Sequence, residues 1–85
     1  MQSYTITIAN LAFTPATLTV TKGDLVTFVN NDNFSHIIAA NGNAFKSPTL
    51  NPGSQFVLDT STLAPGVYGY KSTTHPVAQG TLTVQ

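Results

Sequence analysis

The sequence predicts an all-β fold, a Greek-key β-sandwich of about seven strands. Short segments alternate apolar and polar residues with a period of two, as in Tyr4, Ile6 and Ile8, which is the pattern of a strand with one buried face. Turn-forming residues separate these segments at roughly the 8–12-residue spacing of a sandwich, whose strands are commonly connected as a Greek key. No segment carries the 3.6-residue apolar stripe of an amphipathic helix.

The predicted strands share this alternation and end at glycine, proline, asparagine or other turn-forming residues. In the segment Leu25–Asn30, Val26 and Phe28 lie on one face. Leu25 and Val29 lie on the other face, so we expect a central strand covered on both sides. The predicted strands are Gln2–Ala9, Thr17–Thr21, Leu25–Asn30, Ser35–Ala40, Gln55–Leu58, Val67–Ser72 and Gly80–Val84.

Two longer segments between strands are expected to be irregular. Asn10–Pro15 breaks the alternation after the first strand, and Asn41–Gly53 contains one Asn-Gly pair and two prolines. Within the second segment, Phe45 and Leu50 are expected to anchor the chain to the core.

Length and charge limit the range of functions. A chain of 85 residues predicts a single domain over residues 1–85 with one core. Charged residues make up only 7%, against about 25% in a typical globular domain. Three lysines balance three aspartates, so the formal net charge is zero. Without a basic surface, the chain is not expected to bind nucleic acid.

The sequence contains no cysteine, so it can form neither a disulfide nor a thiolate metal site. It opens directly into an alternating strand, without a basic segment followed by an apolar one. We therefore expect no secretory signal peptide in this sequence and no membrane-spanning segment. We also predict a monomer.

The most informative motif is the segment 68–80, which reads Y-G-Y-K-S-T-T-H-P-V-A-Q-G and holds one of the two histidines. It resembles the copper-binding loop of the cupredoxins, in particular the plastocyanin and amicyanin branch, whose pattern is Y-x-Y-x-C-x-x-H-P-x-M-x-G. Residues 13–32 resemble the stretch that precedes the first histidine ligand in the same family. The resemblance covers most of the chain and implies the cupredoxin sandwich.

In that family, two imidazoles, a thiolate and a weak axial thioether hold the copper. The resemblance places these ligands at His36, Ser72, His75 and Ala78, so the sulfur ligands are missing. The hydroxyl of Ser72 cannot replace the thiolate, because it offers a neutral oxygen in place of a charged, polarisable sulfur. The sequence therefore predicts that the type 1 copper site has been lost.

The two remaining imidazoles, His36 and His75, suit Cu(II), Ni(II) or Zn(II), with water and Ser72 completing the shell. No cofactor is expected to be obligatory, and copper or zinc on these two histidines is the metal site that the sequence allows. The alternative is that both histidines are retained without a metal, with His75 packed beside Pro76.

The residues around the ligand positions carry two further expectations. Asn31, Ile37 and Pro76 are expected to surround the ligands. Ile37 stands where relatives often have Asn or Thr, whose side chain can tie the two ligand loops together, so this bond is expected to be missing and the site looser. An apolar patch, where related proteins dock redox partners, is expected at the histidine end, formed by Phe34, Pro76, Val77 and Ala78.

We predict that the protein is not an enzyme. Ser72 and His75 are expected to be neighbours, but the aspartates are scattered over separate turns, so no carboxylate is expected to orient the pair. The sequence also lacks a glycine-rich phosphate-binding loop.

Three functional hypotheses follow. The first is a cupredoxin-fold domain derived from an electron-transfer protein, without type 1 copper and with at most a two-histidine Cu(II) or Zn(II) site. The second is a metal-free binding or structural scaffold. The third is a deliberate ligand knockout of a plastocyanin- or amicyanin-like electron carrier, since Ser72 for Cys and Ala78 for Met is the pattern such an experiment leaves. The resemblance implies a periplasmic or extracellular location, and the residues alone leave the compartment open.

Overall fold

The computed structural model describes residues 2–85, which form two four-stranded sheets packed face to face. The all-β sandwich is confirmed, with eight strands instead of about seven. No helix within these residues is long and apolar enough to cross a membrane. The strands are β1 Ser3–Ala9, β2 Ala12–Thr14, β3 Thr17–Val20, β4 Leu25–Asn30, β5 Ile38–Ala40, β6 Gln55–Asp59, β7 Gly66–Ser72 and β8 Gln79–Val84.

The strand order is β2-β1-β4-β6 in the first sheet and β3-β8-β7-β5 in the second. Among the strands of residues 2–85, consecutive strands pair only in β1–β2 and β7–β8, and every other connection crosses between the sheets. Strands β5 and β7 run antiparallel with Ile38 opposite Ser72. The β4–β5 loop and the β7–β8 loop therefore meet at one end of the sandwich.

Strand β2 lies in the segment 10–15, where the sequence predicted irregular structure, so that prediction was wrong. Asn10 and Leu11 have φ values of 52° and 59°, as in a two-residue hairpin turn that joins β1 and β2. A bulky residue such as leucine is uncommon in this conformation. The Leu11 N–H donates to Oδ2 of Asp32 at 2.9 Å, so a carboxylate from the β4–β5 loop holds the turn.

The core lies between the sheets and includes a cluster of aromatic rings. Tyr70 packs edge-on against Phe13 and Phe28, with ring centroids 4.9 and 5.4 Å apart. Both predicted anchors, Phe45 and Leu50, are buried. The fully buried apolar residues include Ile6, Val26, Phe28, Ile38 and Leu82.

Strand β4 lies inside the first sheet, between β1 and β6. Val26 and Phe28 face the core, but Leu25 and Val29 on the opposite face are only partly buried. The prediction that both faces of this strand are covered was wrong, because the sandwich has two layers and each sheet has an outer face.

Candidate functional site

His36 lies in the β4–β5 loop and is completely buried. Its N–H donates to the Leu50 carbonyl at 2.9 Å, and the Leu50 N–H donates back to the His36 carbonyl at 2.8 Å. The sequence predicted a strand over Ser35–Ala40, but β5 begins only at Ile38. An isolated bridge to the segment before β6 therefore fixes the backbone of His36.

Both ring nitrogens of His36 have protein partners. Nε2 lies 3.1 Å from Oδ2 of Asp32, and Nδ1 lies 2.7 Å from Oγ of Ser72. The N–H groups of Leu11 and Asn33 and the His36 ring hold the pKa of Asp32 below its usual value. An ionised carboxylate can only accept, so in the neutral imidazole the hydrogen is on Nε2. The Nδ1 lone pair then faces the Ser72 hydroxyl.

Close polar contacts through two hydroxyl groups lead from His36 to the second histidine. Ser72 Oγ lies 3.1 Å from Thr74 Oγ1, which lies 3.2 Å from Nδ1 of His75. The Thr74 hydroxyl also donates to the Ser35 carbonyl at 2.9 Å. The rings of His36 and His75 have centroids 5.0 Å apart. The two predicted histidines thus lie together, with Nδ1 of His36 against Ser72 and Nδ1 of His75 against Thr74.

Ala78, at the position of the axial ligand, is completely buried. Its carbonyl accepts from the Ser72 N–H, and its own N–H donates to the His75 carbonyl, both at 3.0 Å. The prediction that Ala78 belongs to an exposed patch was wrong, because the loop folds back and encloses its methyl group.

The other three residues predicted for the patch are exposed. Phe34 and Val77 have 50% and 74% of their surface accessible, and Pro76 is also exposed. The Phe34 ring packs on His75 with centroids 5.0 Å apart. The apolar surface at this end therefore borders the half-exposed histidine.

The residues predicted to surround the ligands act differently from expectation. Asn31 is exposed and donates its N–H to the Ile8 carbonyl, whereas the contact with His36 comes from its neighbour Asp32. The Ile37 carbonyl accepts from the Thr73 N–H at 2.7 Å. This backbone bond and the Thr74 hydroxyl connect the two loops, although the Ile37 side chain has no hydrogen-bonding group.

The structure also contains an acid, a histidine and a serine in one chain of contacts. The sequence drew attention to Ser72 with His75, for which no orienting carboxylate was expected, but the acid–histidine contact lies at the other histidine, since Asp32 is four positions before His36 and contacts its ring. That spacing was the available sequence signal. Ser72 is completely buried, however, and a substrate has no path to its oxygen in this conformation.

The donor atoms at this end can be compared with the requirements of two kinds of metal site. A type 1 copper centre does not fit, because the chain has no cysteine and Ala78 offers no donor atom. The spacing of the two imidazoles agrees with one shared ion, but Ser72 Oγ lies 2.7 Å from Nδ1 of His36 and would have to move aside for an ion at that nitrogen. Two rings that bind one ion at about 2.0–2.1 Å in a tetrahedral arrangement have centroids roughly 5 Å apart, and His36 and His75 have that separation. Within residues 2–85, no three His, Cys, Asp or Glu side chains form a metal-binding group, so oxygen donors would complete the shell.

Comparison with known proteins gives the same fold. The family model described as a cupredoxin-like domain matches residues 1–84, in agreement with the resemblance seen in the sequence. A purple cupredoxin from Nitrosopumilus maritimus is 30% identical, with 95% of this chain and 98% of that chain covered and a TM-score of 0.84. No curated protein sequence matches the chain significantly.

Two further solved structures extend the comparison. A mutant of amicyanin in its reduced Cu(I) form is 24% identical, with coverages of 98% and 82% and a TM-score of 0.87. At this identity, the likeness shows the fold alone. A copper-containing nitrite reductase from Thermus scotoductus is 26% identical with a TM-score of 0.85, covering 95% of this chain and 22% of that one.

Proposed function

We propose that this chain, which belongs to the cupredoxin-like domain family, binds one Cu(II) or Zn(II) ion through His36 and His75 without forming a type 1 copper centre. The orientation of His36 carries the proposal. Asp32 holds the hydrogen on Nε2, so the Nδ1 lone pair faces the Ser72 hydroxyl, whose oxygen also accepts from the His75 backbone N–H. A carboxylate on the far nitrogen fixes the tautomer of an imidazole and strengthens its opposite nitrogen as a ligand.

Each residue of the site has a defined part in this proposal. Ser72 and Thr74 offer oxygen atoms beside the rings, and Ala78 is buried and offers no donor atom from its side chain. A bound ion would supply Lewis acidity and positions for exchangeable water. Electron transfer of the blue-copper kind is not proposed, because the thiolate is missing. A periplasmic or extracellular location goes with the proposal.

Calorimetric titration of chelator-treated protein with Cu(II) and with Zn(II) tests the proposal. We expect one ion per chain, a type 2 Cu(II) signal in electron paramagnetic resonance and no intense visible band. His36→Ala and His75→Ala should each weaken binding roughly tenfold or more. The exposed β3 residue Thr19 provides the control, and Thr19→Ala should bind as the parent does. Unchanged affinity in either histidine variant, or no binding below about 1 mM, would refute a two-histidine site.

The same two contacts of His36 also support a second candidate, the metal-free scaffold. Both nitrogens of His36 are already paired with Asp32 and Ser72, so the folded state needs no ion to satisfy this buried ring. Phe34, Pro76 and Val77 would then form the surface for a protein partner. Cooperative melting of chelator-treated protein, together with absence of saturable metal binding, would select this candidate over the first.

A further inference from the structure

The first sheet has an open edge along strand β6. Strand β4 pairs with one side of β6, and within residues 2–85 no other strand pairs with its second side. The Asn30 N–H donates to the Ser54 carbonyl just before β6, and along an antiparallel strand every second residue bonds to the same neighbour. The backbone N–H groups of Gln55, Val57 and Asp59 therefore point away from β4, as do the carbonyls of Gln55 and Val57.

The other edges of the two sheets leave fewer backbone groups free. Strand β2 has three residues. The outer side of β5 is covered, since its Ala40 N–H donates to the Phe45 carbonyl. On β3, the Val20 carbonyl accepts from β8, so the alternation leaves Thr17 and Thr19 on the open side. Strand β6 is therefore the longest open edge among the described residues.

Strand β6 lacks the features that usually protect an edge strand. Such strands are commonly blocked by lysine, proline or a β-bulge. The sequence of β6 is Q-F-V-L-D, and its register with β4 runs without interruption from Gln55 to Asp59. The three lysines of the chain lie outside this strand. Val57, at the centre of the edge, has 50% of its surface accessible, so an apolar and unblocked strand faces water.

The residues of β6 are complementary to a second β6 strand that runs antiparallel to it. A pair centred on Val57 places Gln55 opposite Asp59 of the second copy, so an amide meets a carboxylate on the outer face. Phe56 then lies opposite Leu58 of the second copy, so apolar side chains meet on the inner face. No like charges face each other in this register, and the formal net charge of zero adds no long-range repulsion between two copies.

We propose that a second copy of this chain binds along β6, so that the two β6 strands form an antiparallel pair about a two-fold axis. The Val57 N–H and carbonyl bond to the same groups of the second copy, and each Asp59 N–H donates to the opposite Gln55 carbonyl. The two four-stranded sheets then join into one. Because a single strand pair is a small interface, we expect a weak dimer with a Kd of roughly 0.1–1 mM, in equilibrium with the predicted monomer. No residue of the metal proposal lies on β6, so the two proposals are independent.

Sedimentation equilibrium at protein concentrations from roughly 10 µM to 1 mM tests the proposal. Gln55→Lys should tighten the dimer roughly two- to thirtyfold, because it places two lysine–aspartate pairs across the two-fold axis. Gln55→Glu should weaken the dimer, since carboxylates then face each other at both positions. Thr19→Lys is the matched control, because it adds the same charge at the exposed edge of β3, and its dimer should have the affinity of the parent.

Val57→Lys and amide hydrogen exchange locate the contact. Val57→Lys places two lysines opposite each other at the centre of the pair, so this variant should stay monomeric, and urea denaturation checks that it is folded. In the parent, exchange of the Val57 N–H should slow as the protein concentration rises, while exchange of the Thr19 N–H stays constant. A parent that is monomeric at about 1 mM, an unchanged dimer in Val57→Lys, or concentration-dependent protection at Val77 instead of Val57 would overturn the proposal.

Discussion

A buried aspartate that accepts backbone hydrogen bonds lies at each end of strand β4, and the surroundings of the two aspartates differ. Asp24 stands just before the strand and accepts from the N–H groups of Gln2 at 2.8 Å and Thr21 at 2.9 Å. Asp32 stands just after the strand and accepts from two backbone N–H groups at 2.9 and 2.8 Å. Both carboxylates are buried, and both join a strand end to a distant segment.

The two ends of β4 differ in the groups that the contacts reach beyond each aspartate. Around Asp24 the network closes on itself, because Thr60 donates to the Asp24 carbonyl at 2.7 Å and accepts from the Gly23 N–H at 3.0 Å. Around Asp32 the network continues through His36 towards the half-exposed His75. One buried aspartate is therefore enclosed by its own hydrogen bonds, and the contacts of the other lead to a side chain at the surface.

The largest expected effect comes from restoring sulfur at the histidine end. Ser72→Cys with Ala78→Met should produce an intense visible thiolate-to-copper band on addition of Cu(II), because a thiolate and a thioether then join the two imidazoles. Since Ala78 is completely buried, the methionine should also cost about 1–3 kcal/mol of stability through overpacking. Visible spectroscopy and urea denaturation measure the two effects.

Ala78→Met alone is the control for this restoration and should stay colourless, because the dominant copper–thiolate bond is still absent. A folded double variant that binds copper without the band would mean that the loops around His36 and His75 do not converge as the resemblance implies.

The second prediction compares the replacement of each aspartate by asparagine. Asp32→Asn should weaken Cu(II) binding by about 10–100-fold, the usual effect of losing a carboxylate behind a metal-binding imidazole. Asp24→Asn should destabilise the fold and leave the metal affinity unchanged. Calorimetric titration of both variants gives the comparison. Similar affinity losses in the two variants would show a general effect of destabilisation instead of a specific contact with His36.

The third prediction concerns the threonine at each end. Thr60→Val should lower the free energy of unfolding by about 2–3 kcal/mol, because it leaves the Asp24 carbonyl and the Gly23 N–H short of partners inside the protein. Thr74→Val should cost less than about 1 kcal/mol, since Thr74 is exposed and water can replace its hydroxyl. Urea denaturation measures both values. Equal losses of unfolding free energy in the two variants would contradict the distinction between the enclosed contacts around Asp24 and the contacts of Asp32 that lead to the surface.

The smallest expected effect is on the acid sensitivity of the Asp24 end. The N–H groups of Gln2 and Thr21 hold the pKa of Asp24 below the usual value of an aspartate. As the pH falls, the Asp24 carboxylate therefore takes up its proton at a higher pH in the unfolded chain than in the folded protein. The stabilisation is complete above the unfolded pKa and is lost as the pH falls through the folded pKa. Unfolding measured between about pH 5 and pH 2 should show a shallower decline in Asp24→Asn than in the parent. Parallel declines would contradict this assignment.

Local patterns predicted most strands because alternation reports which face of a strand is buried. Strand β2 was missed for a reason outside its own sequence. Its turn has leucine where a two-residue hairpin usually has glycine, and Leu11 holds a positive φ while Asp32 binds its N–H. A contact between residues 21 positions apart cannot be read from the local pattern.

The residues of the candidate site were likewise predicted only in part from the sequence. The resemblance in the loop 68–80 pointed to His36 and His75, and their rings lie 5.0 Å apart. The role of Asp32 was missed because a turn sequence does not show which way its side chains face. The burial of Ala78 was missed because it follows from the loop folding back onto Ser72.

The sequence by itself determined the fold class and the absence of thiolate chemistry, since alternation is a local property and the absence of cysteine is a matter of composition. Only the tertiary structure decided which aspartate meets His36 and which hydroxyl lies between the histidines. The contact of His36 with Ser72 spans 36 positions, and the crossings between the sheets and the pairing of β5 with β7 create it. Such contacts depend on the register of distant strands, which no short stretch of the chain encodes.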